Sequence, residues 1–309
     1  MKRLLLVLLV LMLAPATALA AQVGRLKVTV LSTMMADQGV GEWGYAALVE
    51  VDGRKILYDT GARPETVLAN AREMKIDLSG IEDVVLSHHH GDHTGGFLVL
   101  RKALAAQNPK ALSRVHVGEG FFQDGAQGFR PEIPKLKAAV EAAGATFVVH
   151  KGPGELAPGV WLTGPVPRET DERNFPPGWK LANGAADDVP EDMAMVFDTA
   201  DGMVALTGCG HAGVINIARK ARALAGGKPL LAMIGGLHLF AAPDARLDWT
   251  GAELKAAGVR YLLLGHCTGI EATMRLRQAA GLTRRTAAYG ATGATFELGK
   301  GIMARPIAG

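Results

Sequence analysis

Surplus charge, cysteine and long hydrophobic runs are what this chain has least of. Its 33 basic and 30 acidic residues leave a formal charge of only +3. Nowhere do lysines and arginines gather into a block, so the electrostatic footprint of a nucleic-acid binder is missing. The two cysteines, Cys209 and Cys267, allow a single pairing at most. No Pro/Ser-rich linker divides the 309 residues, which therefore read as one domain, although the length alone would permit two. Beyond the N-terminus no apolar run approaches the roughly 20 residues that a membrane-spanning helix requires. What remains is ordinary globular composition, 49% hydrophobic and 20% charged, enough for a large core.

The N-terminus is the exception. Lys2-Arg3 precedes an unbroken apolar run over 4–13, and Ala18-Leu19-Ala20 places small residues where a signal peptidase reads them. Residues 1–20 are expected to be a secretory signal peptide cut before Ala21, leaving 21–309 as the mature domain. The run is too short to be a spanning anchor. Removing Lys2 and Arg3 takes the formal charge from +3 to +1. The expected location is periplasmic or secreted, with no membrane attachment after cleavage. In that oxidising setting Cys209 and Cys267 are free to pair, to bind metal or to remain buried thiols.

Alternation over 25–32 predicts a strand, and strands at 45–51 and 55–58 flank an Asp52-Gly53 hairpin turn. A helix over 64–74 leads to a short buried strand at 84–86, followed by a helix to about 106 and a strand at 114–117. Residues 118–134 read as an irregular loop, 135–143 as a helix, and 146–150 and 160–163 as strands. The polar stretch 168–192 is too long for a simple connection and reads as a functional loop or lid. Strands at 193–197, 203–206, 230–234 and 261–264 then alternate with helices at 214–224, 248–257 and 270–280, before a last strand at 294–298. Early hairpins followed by alternating strands and helices in two similar halves predict a mixed-sheet α/β (α+β) sandwich with helices outside.

Ser87 to Gly96 reads SHHHGDHTGG and contains His88, His90, Asp92 and His93 in a His-x-His-x-Asp-His pattern. Imidazole suits zinc, iron, copper or nickel, and the carboxylate extends the choice to manganese. Six residues cannot close a tetrahedral site alone. Alternate loop residues point different ways, so His88 and His90 can serve one metal while Asp92 and His93 serve a second. Such an arrangement needs ligands from elsewhere. Of nine histidines, seven fall in motifs directly after an apolar strand, including Thr207-Gly208-Cys209-Gly210-His211, Gly235-Gly236-Leu237-His238 and Gly265-His266-Cys267-Thr268. His116 and His150 read as structural, and His89 as turned away from its neighbours. The loops 34–45, carrying Trp43, and 121–129 are candidate pocket walls.

The His-x-His-x-Asp-His motif after a buried strand, with Tyr58-Asp59-Thr60-Gly61 upstream, resembles the metallo-β-lactamase fold superfamily over essentially the whole mature chain. The later motifs resemble a subgroup of metal-dependent hydrolases that often carry the label β-ribofuranosylaminobenzene 5′-phosphate synthase. The resemblance implies a four-layer αββα sandwich. It implies that His88 and His90 hold one metal, that Asp92, His93 and His266 hold the other, and that Asp59 orients the motif. Cys209 stands where most members have a bridging aspartate. The usual third histidine of the first site belongs in a Pro-Gly-His turn, but 163–167 holds none, and His211 is expected to replace it. The implied cofactors are one or two divalent metals, zinc first, with iron or manganese as alternatives. The implied activity is that of an exported metallohydrolase turning a metal-bound hydroxide on an ester, lactone or phosphoester, with Asp92 or His238 handling protons. The rivals are an iron-dependent redox enzyme on the same fold and a non-catalytic exported metal- or ligand-binding protein. The expected partner is a small-molecule substrate, and the oligomeric state is open.

Overall fold

The structure is a computed structural model that describes residues 21–125, 133–175 and 178–308. The proposed signal peptide therefore lies outside the described residues, as do parts of the 118–134 and 168–192 stretches. Strands β1 (Leu26–Ser32), β2 (Ala46–Val51), β3 (Arg54–Tyr58), β4 (Asp83–Val85), β5 (Arg114–Gly118) and β6 (Thr146–His150) are interleaved with helices α1 (Thr66–Glu73), α2 (Gly91–Thr94), α3 (Phe97–Ala105) and α4 (Ile133–Ala142). The second half contains β7 (Gly154–Ala157), β8 (Val160–Leu162), β9 (Met195–Thr199), β10 (Gly202–Thr207), α5 (Val214–Leu224), β11 (Leu230–Gly235), α6 (Asp244–Ala256), β12 (Tyr261–Leu264), α7 (Ile270–Ala279), β13 (Ala287–Tyr289), β14 (Thr295–Glu297) and β15 (Gly301–Met303).

Two mixed sheets result. The first runs β15-β14-β1-β2-β3-β4-β5-β6 and the second β13-β12-β11-β10-β9-β8-β7. Side-chain alternation sets how they stack. Val28 and Val30, Val49 and Val51, and Ile56 and Tyr58 enter a core shared with Met195, Phe197, Val204 and Leu206 of the second sheet. Their neighbours Leu31, Leu48 and Leu57 point the other way, into a core with Val67 of α1 and Leu100 of α3. Met203, Ala205 and Met233 likewise meet Ile217 of α5, Leu254 of α6 and Leu276 of α7. These three cores make four layers, αββα. Each fully buried Val or Leu contributes roughly 1.5–3 kcal/mol, so a one-residue slip of a strand would move every such side chain to the wrong layer. Tyr58 ties the sheets together by donating from its hydroxyl to the Met193 carbonyl at 2.9 Å.

Strand direction determines where chemistry collects. β3, β4 and β5 are parallel neighbours, and so are β10, β11 and β12. Their carboxyl ends therefore lie on one edge of each sheet, and both edges face the same cleft. The hairpin turn falls where expected: Asp52 and Gly53 both take positive φ (45° and 85°) and join Val51 to Arg54 in register. Several expectations need correction. β7, β13 and β15 are absent from the sequence reading because each has only three or four residues and no clear alternation. The 193–197 strand is displaced to Met195–Thr199, and α6 begins four residues early at Asp244, after Pro243. Phe121, at the start of the 121–129 segment, does not line the cleft: it is buried in the core beneath the helices, edge-on to Phe122 and tilted against Phe147.

Candidate metal centre

β3 leads into Asp59, and β4 leads towards Ser87 and His88. β10 delivers Cys209 and His211, β11 His238, and β12 His266. Asp59 adopts left-handed backbone (φ 56°), as do His238 and His266 (φ 48° each). Such a conformation costs an L-residue with a Cβ roughly 1–3 kcal/mol and tends to persist where the surroundings impose it. All three residues here sit at the same cleft.

Asp59 organises the motif from beneath. Its Oδ1 accepts the Ser87 amide at 2.7 Å, and its Oδ2 accepts the Ser87 hydroxyl at 2.8 Å and lies 2.7 Å from His93 Nδ1. Ser87 Oγ also lies 2.9 Å from His88 Nδ1. Both rings are thus engaged through Nδ1 and turn Nε2 towards the cleft. Gly208 makes this packing possible, because a Cβ there would lie 2.1 Å from Ser87 Oγ and 2.6 Å from Asp59 Oδ2.

The structure brings the expected ligands together in two overlapping groups. Asp92, His93, Cys209 and His266 place donor atoms within 4.8 Å of one another, and so do His88, Cys209 and His211. His90 joins His88 and Asp92 in a further group. Cys209 is common to the two main groups and to another with His238 and Cys267, and its Sγ lies 3.1 Å from His93 Nε2. His211 lies next to His88, its ring 4.7 Å from that of His88. Its Nδ1 binds the Asn174 carbonyl, so its Nε2 points into the cluster, buried and without a protein partner. His90 Nε2 and both ring nitrogens of His266 are likewise buried without a hydrogen bond. Asp92 Oδ2 lies 3.2 Å from His266 Nε2. Buried nitrogens left without a hydrogen bond are costly unless something else binds them.

The electrostatics fit a cation. Burial pushes His88 and His211 well below the ordinary imidazole value and His90 down to about 3, so all three are neutral with lone pairs available. Burial, Cys267 and Asp92 push the Cys209 thiol well up, so a thiolate there requires a positive neighbour. Against burial, which lowers it, Cys267 and Asp92 push His266 up to about 10. Donor set, orphaned nitrogens and charge all agree with a metal centre.

His238 lies beside the centre. Its amide donates to Cys267 Sγ at 3.2 Å, its Nδ1 is buried without a hydrogen bond, and its ring is 4.5 Å from that of His211. Both cysteines are free and buried, with sulfurs 3.1 Å apart. His89 turns away to Glu191. His116 and His150 are not brought into the site: they pair with each other at 3.0 Å, and His116 meets Asp83 at 3.0 Å. Trp43, from the 34–45 loop, stacks at 5.1 Å on His266. Sequence reasoning missed Ser87, Thr33, whose hydroxyl accepts the His266 amide at 3.0 Å, and Asn174, which fixes His211 through a backbone carbonyl.

Paired mixed sheets between helices, with imidazole, carboxylate and thiol side chains gathered at the strand ends, define a metal-dependent enzyme of the αββα class. The family model described as the metallo-beta-lactamase superfamily matches residues 44–227, and the chain belongs to that superfamily, which depends on divalent metals. A protein of Methanocaldococcus jannaschii named 7,8-dihydropterin-6-methyl-4-(beta-D-ribofuranosyl)-aminobenzene-5'-phosphate synthase is 30% identical over 241 residues, covering 74% of this chain and 82% of its own. The solved structure of Tm1679, described as a metal-dependent hydrolase of the beta-lactamase superfamily, has a TM-score of 0.69 at 24% identity over 88% of this chain and 99% of its own. YhfI from Bacillus subtilis, a metallo-beta-lactamase fold protein, has a TM-score of 0.51 at 15% identity over 88% of this chain and 99% of its own.

Proposed function

We propose that the protein is an exported hydrolase with two zinc ions, one held by His88, His90 and His211, the other by Asp92, His93 and His266, with Cys209 shared between them. The observation that carries this reading is the sharing of Cys209 by two donor groups in which His211 Nε2 and the ring nitrogens of His266 are buried without a hydrogen bond. Bound zinc lowers the pKa of water to about 7 and so supplies hydroxide at neutral pH. The protein's own groups do the rest. Asp59 and Asn174 orient ligand rings, and His238, beside the centre with a free Nδ1, is placed to give a proton to the leaving oxygen. Asp92 is suited to the ligand role, since His93 and His266, against its burial, hold its carboxyl well below the ordinary range. The substrate is a small ester, lactone or phosphoester. The synthase named among the relatives supports the phosphoester, because its name carries a 5'-phosphate.

Zinc reconstitution of chelator-stripped protein should restore hydrolysis of at least one of 4-nitrophenyl acetate, a γ-lactone and bis(4-nitrophenyl) phosphate. Restoration by iron alone, with oxygen consumption, would favour the redox rival. Retention of zinc with no turnover of any ester class would favour a binding protein. Export is supported by the basic-apolar-small pattern of residues 1–20, and the mature periplasmic chain should begin at Ala21.

A further inference from the structure

A second feature adjoins the centre. His238, Trp43, Phe240, Phe175 and Arg173 line a cavity of about 570 Å³ whose floor reaches the metal cluster through His238. Trp43 and Phe240 are 46% and 55% exposed, unusual for large rings outside a binding site. They form an edge-to-face pair with centroids 5.7 Å apart, and Phe240 also meets the His238 ring at 5.3 Å. Neither ring sits on a loose segment. The Trp43 loop is held by buried Glu42, whose carboxylate accepts from the Ser32 hydroxyl and the Ala62 and Arg63 amides. Phe240 donates its amide to the Cys267 carbonyl at 3.2 Å.

The cavity is also charged. Arg246 is committed to Asp171 at 3.0 Å and stacks over Trp249. Arg173 is different. Its Nη1 donates to the Glu172 carbonyl at 3.0 Å, and Asp171, paired with Arg246, is near enough to feel its charge, although among the described residues no carboxylate lies within ion-pair distance of it. Its neighbours are fixed: Glu172 accepts the Ile215 amide, and Asn174 binds both His211 and the Leu237 carbonyl. An exposed guanidinium with spare donors thus sits, on a backbone held at both neighbours, at the edge of an aromatic cavity beside the metal centre. Guanidinium binds phosphate and carboxylate through parallel N–H donors, and exposed ring faces favour another flat ring over a saturated one.

We propose that this cavity seats a planar aromatic group bearing an anionic substituent, with Trp43 and Phe240 holding the ring and Arg173 binding the anion. The proposal rests on the metallohydrolase reading and names the substrate class of that site: an aromatic anion. Calorimetric titration of the zinc-loaded and chelator-stripped protein with phenylphosphonate, cyclohexylphosphonate and inorganic phosphate tests it. Phenylphosphonate should bind about tenfold more tightly than inorganic phosphate and at least about threefold more tightly than cyclohexylphosphonate, in both forms of the protein. Arg173→Gln should weaken phenylphosphonate about tenfold without changing metal content. Trp43→Leu should abolish the preference for the phenyl ring while leaving inorganic phosphate unchanged. Equal affinities for the three compounds, or an unchanged affinity in Arg173→Gln with full metal content, would overturn the proposal. A protein that takes up no metal but keeps the phenyl preference would instead overturn the metallohydrolase reading and leave the pocket standing.

Discussion

Replacing Asp59 with asparagine changes one atom and no shape. The left-handed backbone at 59 (φ 56°) suits asparagine well, so the turn should survive. The hydrogen bonds cannot all survive. Both carboxylate oxygens act as acceptors, Oδ1 for the Ser87 amide and Oδ2 for the Ser87 hydroxyl and the His93 ring. An amide nitrogen in the Oδ1 position would face the Ser87 N–H, donor against donor. In the Oδ2 position it would make His93 Nδ1 an acceptor and move the ring proton to Nε2, the atom facing Cys209. The first arrangement forfeits a buried charge-assisted bond worth roughly 1.5–3 kcal/mol, and the second disables a ligand. Loss of an orienting group behind a metal ligand generally costs 10–100-fold in metal affinity, about 1.4–2.8 kcal/mol. Competition against a chromophoric chelator should therefore show zinc affinity lowered at least about tenfold in Asp59→Asn. An affinity within about twofold of wild type would refute the role given to Asp59.

Other perturbations have equally definite outcomes. Gly208→Ala places a methyl group 2.1 Å from Ser87 Oγ, and thermal unfolding should show a loss of about 1–3 kcal/mol, with metal binding weakened as Ser87 is displaced. Cys209→Ser should cost bound zinc by mass spectrometry, because a serine hydroxyl is a poor substitute for a thiolate, whereas Cys267→Ser should retain more of it. Asp83, away from the centre, gives a pH signature. Burial opposes its ionisation, but His116 and Arg114 hold its carboxyl below the ordinary 3.8. A depressed folded-state value means its contribution is complete above the unfolded value and fades as pH falls. The stability difference between wild type and Asp83→Asn should be flat from about pH 5 to 8 and narrow below about pH 4 in denaturant titrations, and a difference that instead widens in acid would contradict this.

What the sequence discloses and what it hides follow from distance along the chain. His88, His90, Asp92 and His93 are legible because one turn carries them all after a buried strand. Cys209, His211, His238 and His266 are legible because each follows an apolar strand whose pattern survives alone. Asn174 is not, since it holds His211 through a backbone carbonyl, and any residue type supplies one. Glu191 is hidden for a related reason: its partner His89 lies 102 positions away, and nothing local marks either as half of a pair. The four layers of the sandwich follow from the family resemblance, and the sandwich itself was readable from the early hairpins and the later alternation of strands and helices. The three- and four-residue strands β7, β13 and β15 were not, because so short a segment shows no period and is held in place by its sheet neighbours. His238 was readable as a site histidine, but its strained backbone and free ring nitrogen emerge only in three dimensions.

The central claim is a two-metal centre in which His211 completes the first site and Cys209 joins it to the second. Metal content per chain, measured by mass spectrometry on mature protein purified without added metal, tests it directly in wild type and His211→Ala. Two zinc ions falling to about one is the result expected if His211 is a ligand of one metal only, the second site keeping its own three ligands and Cys209. Two ions unchanged would remove His211 from the centre, and iron in place of zinc would move the chemistry from hydrolysis to redox.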